Sequence, residues 1–154
     1  MNQAHIHLII NHVPIVGSLF ALALLAVGLL RRDTSLTTAG LVGVLVAALL
    51  CVPAQLTGEG AAAIVQDMPR VSRALIQAHA AAAERGFWAL ESAAALALFG
   101  LLLAKNASPR ARQLAWLTLG VAALSFGLLA RAGNLGGQIR HTEIREGFGT
   151  PDEL

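Results

Sequence analysis

The chain lacks much of what a soluble domain uses. Its 154 residues contain no tyrosine, a single cysteine and only 13% charged residues, whereas soluble domains carry about 25%. The lone Cys51 excludes an internal disulfide and any zinc or iron–sulfur site built from several cysteines, and we expect it to pack as a small apolar residue. The absence of tyrosine argues against a tyrosyl-radical relay. The net charge of +2 is small and dispersed, which excludes a nucleic-acid partner.

Long apolar runs are what the chain has instead. They cover about residues 6–30, 37–56, 87–104 and 112–132. Each is long enough for a spanning helix, which needs ~20 residues. None has a polar face on which a soluble bundle would be hydrated. The sequence therefore predicts one all-α integral membrane domain over 1–154, a four-helix transmembrane bundle in contact with the lipid bilayer.

The distribution of basic residues predicts the orientation of this bundle. The connections RRDTSL and KNASPRAR hold five of the eleven Lys and Arg residues and one acid, Asp33. Because cytoplasmic loops are enriched in Lys and Arg, we expect both connections to face the cytoplasm in a bacterial inner membrane. Both termini, the outer loop 57–86 and the outer tail 133–154 then lie on the periplasmic side.

This orientation gathers the polar side chains at one end of the bundle. All five histidines and eight of the nine acids fall on the outer side. We therefore expect the chemistry at the outer mouth, with the inner end serving only as an anchor. Within the outer loop we expect a short interfacial helix over 61–67. The third helix is expected to begin outside the membrane at Pro69, capped by Asp67 or Met68, and to carry His79 toward the mouth.

The first span opens with HIHLIINHVP, and imidazole is costly in hydrocarbon. His5 and His12 are seven residues apart and share a helical face. His7 lies about 200° from His5 and points elsewhere on a regular helix. Pro14 removes a backbone donor and clashes with the carbonyl of Ile10, which predicts a kink or a break that turns His12 inward. His12 and His5 are thus candidate ligands, and the alternative is interfacial histidines bonded to headgroups or to the tail backbone.

The third helix contributes a histidine and two acids. His79 stands alone among alanines in QAHAAAAERG, where small neighbours allow another helix to approach. Glu84 and Glu91 share a face about 120–140° away from His79, so a regular helix does not aim all three at one atom. Glu91 lies within a span, where an ionisable residue is a functional candidate. Its alternative is an ion pair with Arg85 or Arg131.

Two further stretches add candidate ligands. TGEG places Glu59 between two glycines after the second span. GGQIRHTEI carries Arg140, His141 and Glu143, and in an extended stretch His141 and Glu143 share a face. Imidazole with carboxylate suits iron, zinc, manganese or copper(II). Imidazoles from two helices, with arginines to pair with propionates, suit a b-type haem equally well. No HExxH, CxxCH or ExxH motif specifies the metal.

NHVPIVG, TGEGAA, the isolated histidine of the third helix and GGQIRHTEI together resemble a group of small bacterial membrane proteins with four predicted spans and NHxPI, TGE and IRHxEI motifs. The resemblance covers nearly the whole chain and implies a four-helix membrane fold with polar motifs on one side. It brings no activity with it. Where relatives carry further glutamates, this chain has GEGAAA and HAAA, a departure that favours haem or a His-dominated site over a carboxylate-rich dinuclear site. The matching positions are Asn11, His12, Pro14, Gly58, Glu59, His79, Gly137, Arg140, His141 and Glu143.

The favoured hypothesis is electron transfer by a haem or a non-haem iron, copper or zinc site at the outer mouth, with a quinol or a periplasmic redox partner. A second hypothesis is a cofactor-free accessory subunit of a larger respiratory or photosynthetic complex, or a homo-oligomer, since the small-residue spans suit tight helix association. A third is a metal or proton transporter that uses Glu91. No catalytic residue is assigned. The candidate ligands are His12, His79, His141 and His5, and the supporting or alternative ligands are Glu59, Glu84, Glu91, Glu143, Asn11, Arg85, Arg131 and Arg140.

Overall fold

The computed structural model describes residues 1–106 and 108–145. Within them the chain is helical and contains no strand. The helices are α1 (Gln3–Ile10), α2 (His12–Arg31), α3 (Thr34–Val65), α4 (Arg73–Lys105) and α5 (Arg110–Arg140), followed by a 3₁₀ turn (Thr142–Ile144). The end of the predicted outer tail, 146–154, lies outside the described residues.

Four helical rods of this chain are long and apolar enough to cross a membrane. The first is α1 and α2 together, and the others are α3, α4 and α5. Large side chains such as Leu49, Phe20 and Phe99 are exposed on their outer surfaces, as expected where lipid rather than water surrounds a bundle. The predicted all-α, four-helix membrane bundle is confirmed.

The long helices form a closed ring. α2 packs on α3, α3 on α4, α4 on α5, and α5 returns to α2, while α1 lies against α3. The most extensive contacts are those of the hairpins α4–α5 and α2–α3. One end of the bundle carries the two hairpin connections with Arg31, Arg32, Lys105, Arg110 and Arg112, and we call it the arginine end. The opposite end, with α1, the α3–α4 connection and the end of α5, is the histidine end.

Small residues let these helices approach closely. The core is largely alanine around the fully buried Leu25, Val44 and Leu90. A Cβ atom added at Gly40 of α3 would lie 2.5 Å from the backbone nitrogen of Leu25 on α2, so only glycine fits there. Backbones this close gain dispersion contacts, which replace the hydrophobic driving force that a bilayer does not supply.

The helices extend beyond the apolar runs of the sequence. α3 continues to Val65, so the separate short helix expected over 61–67 does not form and that prediction is wrong. α5 continues to Arg140 within the predicted outer tail. As expected, the third spanning helix begins well outside the apolar run and passes through Gly86 without a break. The expected start at Pro69 is wrong. α4 begins at Arg73, where the Ser72 hydroxyl accepts a hydrogen bond from the Leu75 amide at 3.4 Å, as serine commonly does at a helix N-terminus.

The close approach of α2 and α3 leads to a first prediction. Gly40→Ala places a methyl group against the Leu25 backbone, and we expect it to destabilise the bundle by about 1–3 kcal/mol, as overpacked cores do. Gly120→Ala is the matched control because a Cβ atom there meets no atom within 4 Å. Alanine is the better helix former, so the control is expected to be neutral or slightly stabilising. Unfolding of both variants in mixed detergent micelles measures the difference, and equal stabilities would contradict the close contact.

Candidate functional site

A cavity of about 320 Å³ opens at the histidine end, and all four spanning helices contribute residues to its wall. Much of the wall is alanine and glycine from facing helices, including Ala54, Ala83, Ala132 and Gly133. These short side chains leave the space that larger ones would fill. Longer polar side chains project around this space, namely His7, Asn11, His12, Glu59, His79 and Glu84.

His7 is held by α3. Its Nδ1 atom lies 3.1 Å from the carbonyl oxygen of Ala54 and 3.1 Å from the hydroxyl oxygen of Thr57. A carbonyl oxygen only accepts hydrogen bonds, so the His7 Nδ1 carries the proton and donates it. The Thr57 hydroxyl in turn lies 2.9 Å from the carbonyl oxygen of Pro53, to which it donates. The imidazole is therefore fixed in both orientation and tautomer.

His79 is held by α5 in the same manner. Its Nδ1 atom lies 2.7 Å from the carbonyl oxygen of Ala132 and donates to it. Gly136 allows this contact, since a Cβ atom there would lie 3.2 Å from the imidazole. The ring centroids of His7 and His79 are 6.2 Å apart and their planes are nearly perpendicular, at 88°. With both Nδ1 atoms protonated, each neutral ring keeps an Nε2 lone pair, the form in which imidazole binds metals.

The helix break that Pro14 predicts lies at Asn11, between α1 and α2. Asn11 lines the cavity, and its side-chain carbonyl oxygen is buried without a hydrogen-bond partner among the described residues. Such an atom forfeits the hydrogen bond it would make to water. His12, which we expected the break to turn inward, contributes to the cavity wall but remains exposed overall.

The remaining predicted histidines lie away from the cavity. His5 is exposed near the start of α1. His141 is also exposed, and its Nδ1 lies 2.8 Å from a Glu143 carboxylate oxygen. These two side chains meet as expected, but they do so at a 3₁₀ turn rather than in an extended stretch. A hydrogen bond from its own backbone amide, and then one from His141, lower the pKa of the Glu143 carboxyl below its usual range, so the carboxylate persists at more acidic pH.

The predicted acids and arginines divide between the cavity and the surface. Glu59 and Glu84 line the cavity. Glu91 is partly buried on α4 with one carboxylate oxygen unpartnered, and within the described residues it pairs with neither Arg85 nor Arg131. The last of the predicted arginines, Arg140, donates to the Met68 sulfur at 3.3 Å.

His7 is the functional candidate that sequence reasoning missed. Its position about 200° from His5 predicts that it points elsewhere on a regular helix, yet it is His7 that faces the cavity. The sequence does contain a signal for this. His7, Asn11 and Pro14 are spaced i, i+4 and i+7, which places them on one helical face, and all three line the cavity.

Across 1–106 and 108–145 no three His, Cys, Asp or Glu side chains converge as a metal-binding group. The site is instead a pair of oriented imidazoles, His7 beside the α2–α3 hairpin and His79 on the α4–α5 hairpin, in a cavity whose wall also includes carboxylates. Chemically it offers two nitrogen lone pairs and an unpartnered amide oxygen to a ligand.

The hydrogen bonds of the pair predict a specific protonation state. At about pH 8, above the usual range of imidazole titration, we expect His7 and His79 to carry their protons on Nδ1 because both donate to carbonyl oxygens. Nitrogen-15 NMR of histidine-labelled protein distinguishes the two tautomers, and His7→Gln and His79→Gln assign the signals. A protonated Nε2 with a bare Nδ1 on either ring would contradict the geometry.

No protein-family model matches the chain, and no curated protein or solved structure does so either. The resemblance to the four-span group therefore rests on the motifs alone. Of those motifs, NHVPI and TGE supply residues to the cavity, while His141 and Glu143 of IRHTEI lie on the surface.

Proposed function

We propose that the protein is a bacterial inner-membrane protein that binds a redox-active transition metal between His7 and His79, either as a b-type haem or as a non-haem ion. One observation carries the proposal. Each imidazole donates its Nδ1 proton to a backbone carbonyl, at 3.1 Å for His7 and 2.7 Å for His79. Metal-ligating histidines almost always have such a partner, which fixes the tautomer and raises the basicity of the other nitrogen.

The placement of the pair also supports this proposal. Cofactor sites in helix bundles are built from side chains on facing helices, and here the two rings come from α1 and α4. Two imidazoles are enough as the protein's ligands to haem iron. A bare ion needs further ligands, and Glu59, Glu84 and His12 are the cavity residues that would supply them.

The bound group would supply one-electron chemistry, and the chain would hold and shield it. His7 and His79 are the ligands in this proposal, and Thr57 with the backbone carbonyls of Ala54 and Ala132 orients them. Arg85 follows the cavity-lining Glu84, and Arg131 precedes the cavity-lining Ala132. Both arginines are exposed beside the cavity and would balance the negative charge of propionates or carboxylates. A quinol or a periplasmic redox protein would exchange electrons at this outer face.

A spectrum of the detergent-purified protein tests the proposal. We expect visible bands that sharpen on reduction with dithionite, or stoichiometric iron or copper by metal analysis. His7→Ala and His79→Ala are expected to lose most of the bound group because each removes a ligand. His5→Ala and His141→Ala are the matched controls and are expected to keep it. Thr57→Val is expected to weaken binding by up to about 10–100-fold, as loss of a ligand's partner typically does.

Two results would overturn the proposal. If His7→Ala and His79→Ala both bind the haem or metal at full occupancy, the two histidines are not its ligands. A colourless, metal-free protein from cells supplied with haem precursor and metals would favour the accessory-subunit alternative, and large partners that co-purify with the protein would then identify the complex.

Glu91 supports a second candidate function, the transport of protons or metal ions across the membrane. Its unpartnered carboxylate oxygen lies within the apolar part of α4, where ionisable residues mark ion and proton pathways. Uptake into reconstituted vesicles that is lost in Glu91→Gln would support transport. Uptake that is unchanged in this variant would exclude Glu91 as the carrier.

A further inference from the structure

A second cavity, of about 540 Å³, opens at the arginine end between α2, α3, α4 and α5. Its inner wall is apolar and includes Leu29, Leu41 and Leu101. Its rim is polar, with Arg32 and Arg112 among the lining residues. The cavity thus has an apolar wall below a cationic rim at the end of spanning helices. These two parts match the acyl chain and the headgroup of a membrane lipid.

We propose that this cavity binds one anionic phospholipid, with the phosphate at Arg32 and Arg112 and an acyl chain against the apolar wall. The proposal concerns the end of the bundle opposite the histidine pair and is independent of any cofactor. Basic pockets between spanning helices are known to bind anionic headgroups.

The charge balance at this end favours an anionic ligand. The arginine end carries five basic residues and one acid, Asp33. The Asp33 carboxylate also lines the cavity, where it caps α3 by accepting a hydrogen bond from the Leu36 amide at 3.0 Å. With Arg32 and Arg112 against this one acid, the lining still carries a net positive charge. Neither Arg32 nor Arg112 forms an ion pair within the described residues. Their positive charge is therefore available to a phosphate.

The geometry of Arg112 directs it to the cavity. Its Nη2 atom donates to the Leu29 carbonyl oxygen at 3.3 Å across the α5–α2 interface. This bond uses one of the five N–H donors of the guanidinium and holds the group beside the cavity, while the others remain for a ligand. Arginine binds phosphate oxygens with two parallel N–H donors, which gives both strength and orientation.

Two helices begin at this cavity and add to the positive potential. Thr34 at the start of α3 and Ala111 near the start of α5 line the cavity. The aligned peptide dipoles favour negative charge at the start of a helix. The first-turn amides of Leu36, Arg110 and Ala111 already donate to Asp33 or Ser108, so the two helices add positive potential rather than free donors. The Thr38 hydroxyl on the rim is a further donor. These groups complement the two guanidinium groups around one anionic headgroup.

Lipid is the occupant that fits the whole cavity. Inorganic phosphate would satisfy the rim and leave the wall of leucine and alanine unfilled. In a membrane, the acyl chain of the same lipid reaches this wall without leaving hydrocarbon.

Native mass spectrometry of the detergent-solubilised protein tests the proposal. Titration with dioleoylphosphatidylglycerol is expected to give one retained lipid per chain, bound at least about tenfold more tightly than dioleoylphosphatidylcholine. Arg32→Gln with Arg112→Gln is expected to remove this preference. Arg73→Gln with Arg140→Gln makes the same charge change at the histidine end and is expected to keep it. Ala104→Phe, at an exposed position of the cavity wall, fills the groove without changing charge and is expected to weaken binding of both lipids.

The outcomes separate the sources of phosphate. Equal binding of the two lipids, or an equal loss of preference in both arginine pairs, would overturn the proposal. If sodium phosphate binds the protein as well as phosphatidylglycerol does and Ala104→Phe has no effect, the site is an anion site and the lipid assignment is wrong. Thermal unfolding of the wild-type protein tests the proposal without any variant. We expect a higher unfolding midpoint with phosphatidylglycerol than with phosphatidylcholine.

Discussion

A backbone carbonyl inside a membrane has no water to accept from, and the bundle is arranged around that constraint. Side chains supply carbonyls with further donors in addition to the helical hydrogen bonds. Ser125 of α5 donates to the Gly86 carbonyl of α4 at 2.8 Å and ties the two helices together. His7 and His79 do the same at the histidine end, each on a carbonyl of the neighbouring helix. The bonds that join the helices are thus the bonds that orient the imidazoles.

The two ends of the bundle differ because of how the chain is connected. Short connections close both hairpins at the arginine end and place basic residues there, together with the positive dipole ends of α3 and α5. At the histidine end the helices run past the apolar segments, so α1, the end of α3 and the start of α4 surround a polar-lined cavity. The sequence led us to expect that the inner end is only an anchor. The lipid site that we propose gives that end a function of its own.

Apolar length predicts the spanning helices well because membrane thickness sets it. It does not predict where a helix ends, since helical structure continues wherever the backbone is satisfied. The stretch 57–65 is therefore helical although its hydropathy has dropped, and the α4 start depends on the Ser72 cap rather than on Pro69. The choice between His5 and His7 depends on which face of α1 meets α3. Both faces of α1 carry a histidine, so a single sequence does not decide which one meets α3. The cavity at the arginine end depends on the spacing between helices, which no local sequence pattern encodes.

The imidazole pair lies across the seam between the two hairpins. His7 is fixed to the α2–α3 side through Ala54, and His79 to the α4–α5 side through Ala132. Their ring separation of 6.2 Å therefore measures how one hairpin sits against the other. A ligand that binds both rings clamps the seam. Because helices tilt and shift in response to bilayer thickness, the affinity of such a ligand is thermodynamically linked to the thickness of the surrounding membrane, and the ligand in turn resists the deformation.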